Sequence, residues 1–273
     1  RLPVSGWRLG VLVAFWLAGR LGFLAAATID PIVLAVLDLA FLTTLAAMIA
    51  RELLSGKNWR NLPVLVLISL FATGNWLVHL EISNFAETAA IGMRVSIFAL
   101  AILFAVIGGR IVPSFTRNWL AHNGTGTLPE PMGRFDRIAL AALVLFAVAQ
   151  IVAPERQLTS CLALLAGALH GLRLVRWKGW AVFSEPLIWV LHLGYAWLVI
   201  ALTLLGLAGL TDGVPETAAI HALTTGAFGT MILAVMTRAS LGHTGRAVTA
   251  GPGTTAIFIL ITLAATLRVV APF

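Results

Sequence analysis

The chain has 273 residues, 60% hydrophobic and only 11% charged, with a mean hydropathy of +0.98. A water-soluble domain carries about a quarter of its residues charged, and no soluble fold of this length hides so much apolar surface, so soluble enzymes and carriers are excluded. The net charge of +7 does not mark a nucleic-acid binder, because the basic residues flank apolar runs, and the lone cysteine, Cys161, excludes an internal disulfide or a multi-cysteine metal centre.

Nine apolar runs follow one another, each near the roughly twenty residues that cross about 30 Å of hydrocarbon. They span 9–28, 31–50, 62–80, 88–109, 137–153, 158–175, 187–210, 217–237 and 254–270. They predict an all-α, polytopic transmembrane helical bundle, a single transmembrane domain over 1–273. The stretch 110–136 is rich in Gly, Pro, Asn and Thr and reads as a cytoplasmic loop with turns. Trp119 and Leu120 within it, and Trp7, Trp59, Trp177 and Trp180 near helix ends, are expected at the membrane interface. The loops alternate in charge. Of the 18 Lys and Arg, all but Arg20, Arg94, Arg156 and Arg268 fall in one alternating set, which begins with Arg1 and Arg8. By the positive-inside rule that set is cytoplasmic, with the N-terminus inside and the C-terminus outside. The odd number of runs and the start at Arg1 read as a truncated protein.

Polar residues at membrane depth need partners or a function. Arg20 and Asp38 flank the loop at Asp30 and lie roughly 12–15 Å below it at 1.5 Å per residue. They form either a pair that locks the first hairpin or a counter-charge to a cofactor carboxylate or a proton relay. Asn75 and His79 share a face at i and i+4, and Arg94 lies at similar depth on the next helix. This group is either interhelical glue or an outward-facing site. His170 on the sixth run and His192 on the seventh are expected in the inner half, either as haem or copper ligands, with Tyr195 one turn from His192 to orient it or pass a proton, or as satisfied histidines bridging helices. His221, Thr224, Thr225 and Phe228 are spaced to share one face of the eighth run, beside a small-residue strip at Gly226 and Gly229. Met231 and Met236 are either soft copper ligands or apolar packing. Arg238, His243 and Arg246 sit at the cytoplasmic end, either as the basic residues common at such helix ends or to hold cofactor carboxylates or phospholipid headgroups. Two histidine pairs lie at matched depth, His79 with His221 and His170 with His192, the arrangement a six-coordinate haem needs. No C-x-x-C-H occurs, which excludes covalently attached haem.

Three stretches carry a resemblance: GGRIVPSFTRNWL from Gly108, LHLGYAWLVIALTLLGL over 191–207, and HALTTGAFGTMILAVMTRASLGHTGR over 221–246. They resemble the NnrS family of bacterial polytopic membrane proteins. The resemblance implies the bacterial inner membrane, bound haem and copper, and a part in nitric oxide metabolism or protection from nitrosative stress during denitrification, with nitric oxide or iron-nitrosyl species as partners. It also implies that the family's first and last helices, including a histidine-rich HxxEM segment, are missing here. On the matching motifs His192, His221 and His243 are the implied metal ligands. Arg110, Arg117, Asn118, Tyr195, Arg238 and Arg246 are the implied supports, with Arg238 or Arg246 on haem propionates. No feature shows turnover. The rival readings are a transporter of a metal complex or small metabolite, using the Arg20–Asp38 and Asn75–Arg94 layer, and a non-catalytic partner or assembly protein that docks through 110–136.

Overall fold

Hydrocarbon contains no water to satisfy a backbone N–H or C=O, so each apolar run closes its hydrogen bonds internally as a helix. The computed structural model describes residues 5–123 and 127–273. Residues 1–4, with Arg1 of the basic set, and 124–126, inside the expected loop, lie outside the described residues. The helices are α1 (Trp7–Leu24), α2 (Pro31–Gly56), α3 (Leu62–Ile82), α4 (Ala89–Asn123), α5 (Arg134–Val152), α6 (Gln157–Arg176) and α7 (Pro186–Ala208). An eighth span, Glu216–His243, consists of α8 (Glu216–His221), a π-helical segment (Ala222–Gly229) and α9 (Thr230–His243); α10 (Pro252–Val270) follows. Among the described residues nine helical spans are long and apolar enough to cross a membrane, and no strand occurs. The protein is an all-α, multi-pass membrane protein.

Local chemistry sets several boundaries. Asp30 caps α2 by accepting from Ile32 N at 2.8 Å, with Pro31 at the first helical position, where its missing N–H removes nothing. Glu185 does the same for α7, accepting from Leu187 N at 3.2 Å ahead of Pro186. Lys57 adopts φ 49° and stops α2.

The structure corrects the sequence reading in three places. The helix expected to end at 109 continues to Asn123, so 110–123 is helix and not loop. Arg110, Arg117 and Asn118 mark where the chain becomes polar, but polarity alone does not break a helix. Pro113 is tolerated within it. At about 52 Å for its 35 residues, α4 is longer than the hydrocarbon is thick. Trp177, expected at the interface, is 2% exposed. Leu120, also expected there, is buried with Val182 and Ile188, and Trp119 and Leu128 pack against that cluster. Trp7, Trp59 and Trp180 are exposed, as an aromatic belt requires.

Two compact units divide the chain, Arg1–Leu103 and Phe104–Phe273. In the first, α1 packs on α2 and α2 on α3. The start of α4 meets α3 where Gly74 faces Gly92: a Cβ on Gly74 would lie 2.5 Å from the Gly92 carbonyl oxygen. In the second, α7 is the central helix, packed against α6, α8, the π segment and α9, with α10 against α8 and the π segment. Its buried positions run from Leu187 to Gly206, leaving one less covered stripe through Trp189, Leu193, Ala196 and Ile200.

Candidate functional site

In the first unit the polar residues of α1, α2 and α3 converge on one carboxylate. Gly19 lets α1 approach α2 closely, since a Cβ there would stand 3.0 Å from Asp38 Cα. Arg20 pairs with Asp38 Oδ1, as the sequence predicts. Asn75 Nδ2 donates to Asp38 Oδ2 at 2.8 Å, and His79 Nε2 reaches the same oxygen at 3.1 Å. A carboxylate only accepts, so His79 Nε2 donates to Asp38, and Nδ1 is the ring nitrogen left over. That nitrogen is buried and has no hydrogen-bond partner, and the residue is 3% exposed. The ring lies 5.9 Å from Phe23. Arg94, expected in this layer, is not among the donors to Asp38. Two hollows adjoin the cluster. One of about 450 Å³ is lined by Arg20, Asp38, Asn75, Ser96, Phe71 and Met93. The other, a mostly apolar groove of about 390 Å³, is lined by His79, Leu39, Ala40, Thr43, Trp76 and Phe85.

The second unit holds a longer buried network. Asp136, in the first turn of α5, accepts from Gly133 N at 2.9 Å and from Arg173 Nε at 2.7 Å. Arg173, in the last turn of α6, is 0% exposed. Its Nη1 donates to the Ala105 carbonyl at 2.9 Å and to Tyr195 Oη at 2.8 Å. Gly109 makes room for it, because a Cβ there would collide with the guanidinium. Tyr195 Oη lies 2.6 Å from His170 Nδ1, and His170 Nε2 lies 3.0 Å from the Ala139 carbonyl. The carbonyl only accepts, so Nε2 donates and Nδ1 accepts the tyrosine proton. Both nitrogens of His170 are therefore occupied. Tyr195, expected to orient His192 one turn away, serves His170 across the helix interface instead, because its side chain leaves α7 toward α6.

His192 Nε2 lies 2.8 Å from Thr116 Oγ1, which donates its own proton to the Val112 carbonyl at 2.9 Å. The imidazole is therefore the donor, and its Nδ1 is buried without a partner against Gly179. Trp177 stands between the two histidine groups, 4.5 Å from the Tyr195 ring and 6.4 Å from His192. The expected His170–His192 pair is thus separated by a tyrosine and a tryptophan and does not flank an open slot.

The eighth span departs from the expected single face. Its π turns, with i→i+5 bonding, break the 3.6-residue phase on which His221, Thr224, Thr225 and Phe228 were aligned. Phe228 stacks on Phe104 at 4.8 Å, while Thr224 Oγ1 returns to the Ile220 carbonyl at 2.7 Å. Trp197 Nε1 and Thr230 Oγ1, beside this segment, are buried without hydrogen-bond partners. Met231 is buried against Gly108 and Gly194, whereas Met236 is exposed. His221 and His243 lie at opposite ends of one span, about 30 Å apart by helix rise, and do not share an ion. Arg238 and His243 both line a groove of about 390 Å³. Arg246 is exposed beyond α9, Arg117 Nη1 donates to the Pro129 carbonyl at 3.1 Å, and Arg110 lies on the α4 extension.

Sequence reasoning missed Asp136, Thr116, Gly109 and the burial of Arg173 and Trp177. Arg173 follows His170 by one turn, a spacing that signals a shared face. A basic residue at a cytoplasmic helix end has an ordinary explanation that hid it.

A family model described as NnrS protein matches residues 1–273. No curated protein and no solved structure matches the chain.

Proposed function

The chain belongs to the NnrS family, and on that premise we propose that it is a bacterial inner-membrane protein that holds haem and acts in nitric oxide metabolism or protection from nitrosative stress. Haem and copper are the cofactors that membership implies. The observation that carries the haem reading is His79: one ring nitrogen donates to a carboxylate and the other is buried without a hydrogen-bond partner. Histidines that ligate metals almost always donate their second nitrogen in this way, which fixes tautomer and ring orientation and raises ligand basicity. Arg20 and Asn75 hold the carboxylate in place. The neighbouring groove is mostly apolar. His79 would hold the haem, which when bound would supply a centre for binding a diatomic gas, and an apolar gas would have access to it from the lipid. His192 has the same pattern of one engaged and one bare nitrogen, with a hydroxyl in place of the carboxylate. His170 has no free nitrogen and does not fit.

The residues do not fit copper. Among the described residues no three His, Cys, Asp or Glu side chains gather. No step is assigned to copper.

The larger cavity favours one rival. Its lining by Arg20, Asp38, Asn75 and Ser96 suits a small polar metabolite or metal complex in transit. An optical spectrum of the protein purified in mild detergent, oxidised and reduced, separates the two. The haem reading expects a Soret band near one haem per chain. In His79→Ala that band falls at least tenfold, and added imidazole restores it. A full Soret band in His79→Ala assigns the ligand elsewhere; none in the folded parent protein moves the reading to transport.

A further inference from the structure

The groove between the cytoplasmic extension of α4 and the end of α9 is independent of the cofactor reading. Its walls are apolar: Ile111, Phe115, Val235, Ala239 and Val248. Arg238 and His243 line it too, and no carboxylate does. The Arg238 guanidinium lies 4.1 Å from the centre of the Phe115 ring, a cation–π contact that holds it in place without using its N–H groups as an ion pair would. Among the described residues Arg238 has no ion-pair acceptor. Glu185, the acidic group that acts on it electrostatically, is engaged in capping α7 through Leu187 N. Gly242 leaves the wall open, since a Cβ there would meet nothing within 4 Å.

An apolar trough with a fixed cation that makes no ion pair matches one kind of molecule: an anion joined to a hydrocarbon chain. The trough lies at the basic end of its helices, the end that faces anionic headgroups under the positive-inside rule. We infer that this groove is a binding site for an anionic phospholipid of the cytoplasmic leaflet, with the phosphate on Arg238 and His243 and an acyl chain along Ile111, Val235 and Val248. Phe115 fixes the guanidinium before the lipid arrives, which lowers the side-chain entropy lost on binding.

The test is thermal unfolding of the full chain in neutral detergent with added phosphatidylglycerol, phosphatidylcholine or soluble glycerol phosphate. Phosphatidylglycerol is expected to raise the midpoint by several degrees, with phosphatidylcholine and glycerol phosphate giving less than a third of that shift. Arg238→Gln removes the cation. Gly242→Leu fills the trough and leaves Arg238 untouched, so it serves if the first variant fails to fold. Each is expected to abolish most of the phosphatidylglycerol shift. Equal shifts from the two lipids, the whole shift from glycerol phosphate alone, or a full shift in Gly242→Leu would each overturn the inference.

Discussion

Tyr195 shows how one hydroxyl sets the state of its neighbours. It accepts from Arg173 and donates to His170, so its single proton has one destination. Replacing it by Phe leaves His170 Nδ1 without a donor and Arg173 Nη1 with the Ala105 carbonyl alone. Stranding the buried His170 Nδ1 costs about 1–3 kcal/mol. Tyr195→Phe should therefore lower the unfolding midpoint clearly, although it removes a single oxygen. Adding His170→Leu should cost less than the sum of the two single changes, because the second removes the group that the first had stranded. Strict additivity in detergent unfolding would mean that the 2.6 Å contact contributes nothing. His170 is better placed as a structural bridge between α5, α6 and α7 than as a ligand, whereas His79 and His192 retain an unspent nitrogen.

At the scale of the element, the eighth span separates two glycines that look equivalent as letters. A Cβ on Gly226 would fall 2.7 Å from the Trp197 ring, whereas one on Gly229 would meet Ile261 at an ordinary 3.7 Å. Gly226→Ala is thus expected to destabilise by about 1–3 kcal/mol through overpacking, and Gly229→Ala to stay within about 0.5 kcal/mol. Thermal midpoints of the two variants check this directly; a reversed order would mean that the π segment packs otherwise. The difference arises because π bonding changes the angular step between residues, so spacing along the chain no longer reports which side faces α7. The extension of α4 follows similar logic. Gly108 and Gly109, just before that extension and already inside the expected run, form the close-packed face of the helix, one against Met231 and Tyr195, the other against Arg173.

For the whole molecule, the expected orientation rests on loop charge. A reporter fused after Lys57 should read as cytoplasmic and one after Glu155 as external. The inverse pattern would turn the protein over and place the Arg238 groove opposite the anionic leaflet. Within the second unit, the burial of α7 has a consequence of its own: apolar side chains on α10 and on the outer faces of α5 and α6 remain exposed, as a lipid solvent allows and water does not.

Hydropathy and loop charge carried the number of spans and the helix starts, because a run of about twenty apolar residues has few other places to go, whereas the helices expected to end at 50, 109 and 237 run on to Gly56, Asn123 and His243. The Arg20–Asp38 pair was legible for a related reason, since each charge in hydrocarbon needs a partner and only two were at matching depth in that hairpin. The partners of Asn75, His79, His170 and Tyr195 were not legible. Which helix a side chain meets depends on rotation about its own axis, and one-dimensional spacing does not record that. Asp136 and Arg173 sit 37 residues apart, each beside other charges that looked like ordinary loop markers. Helix packing alone joined them, because a guanidinium closed off from water has to find its acceptors inside the protein.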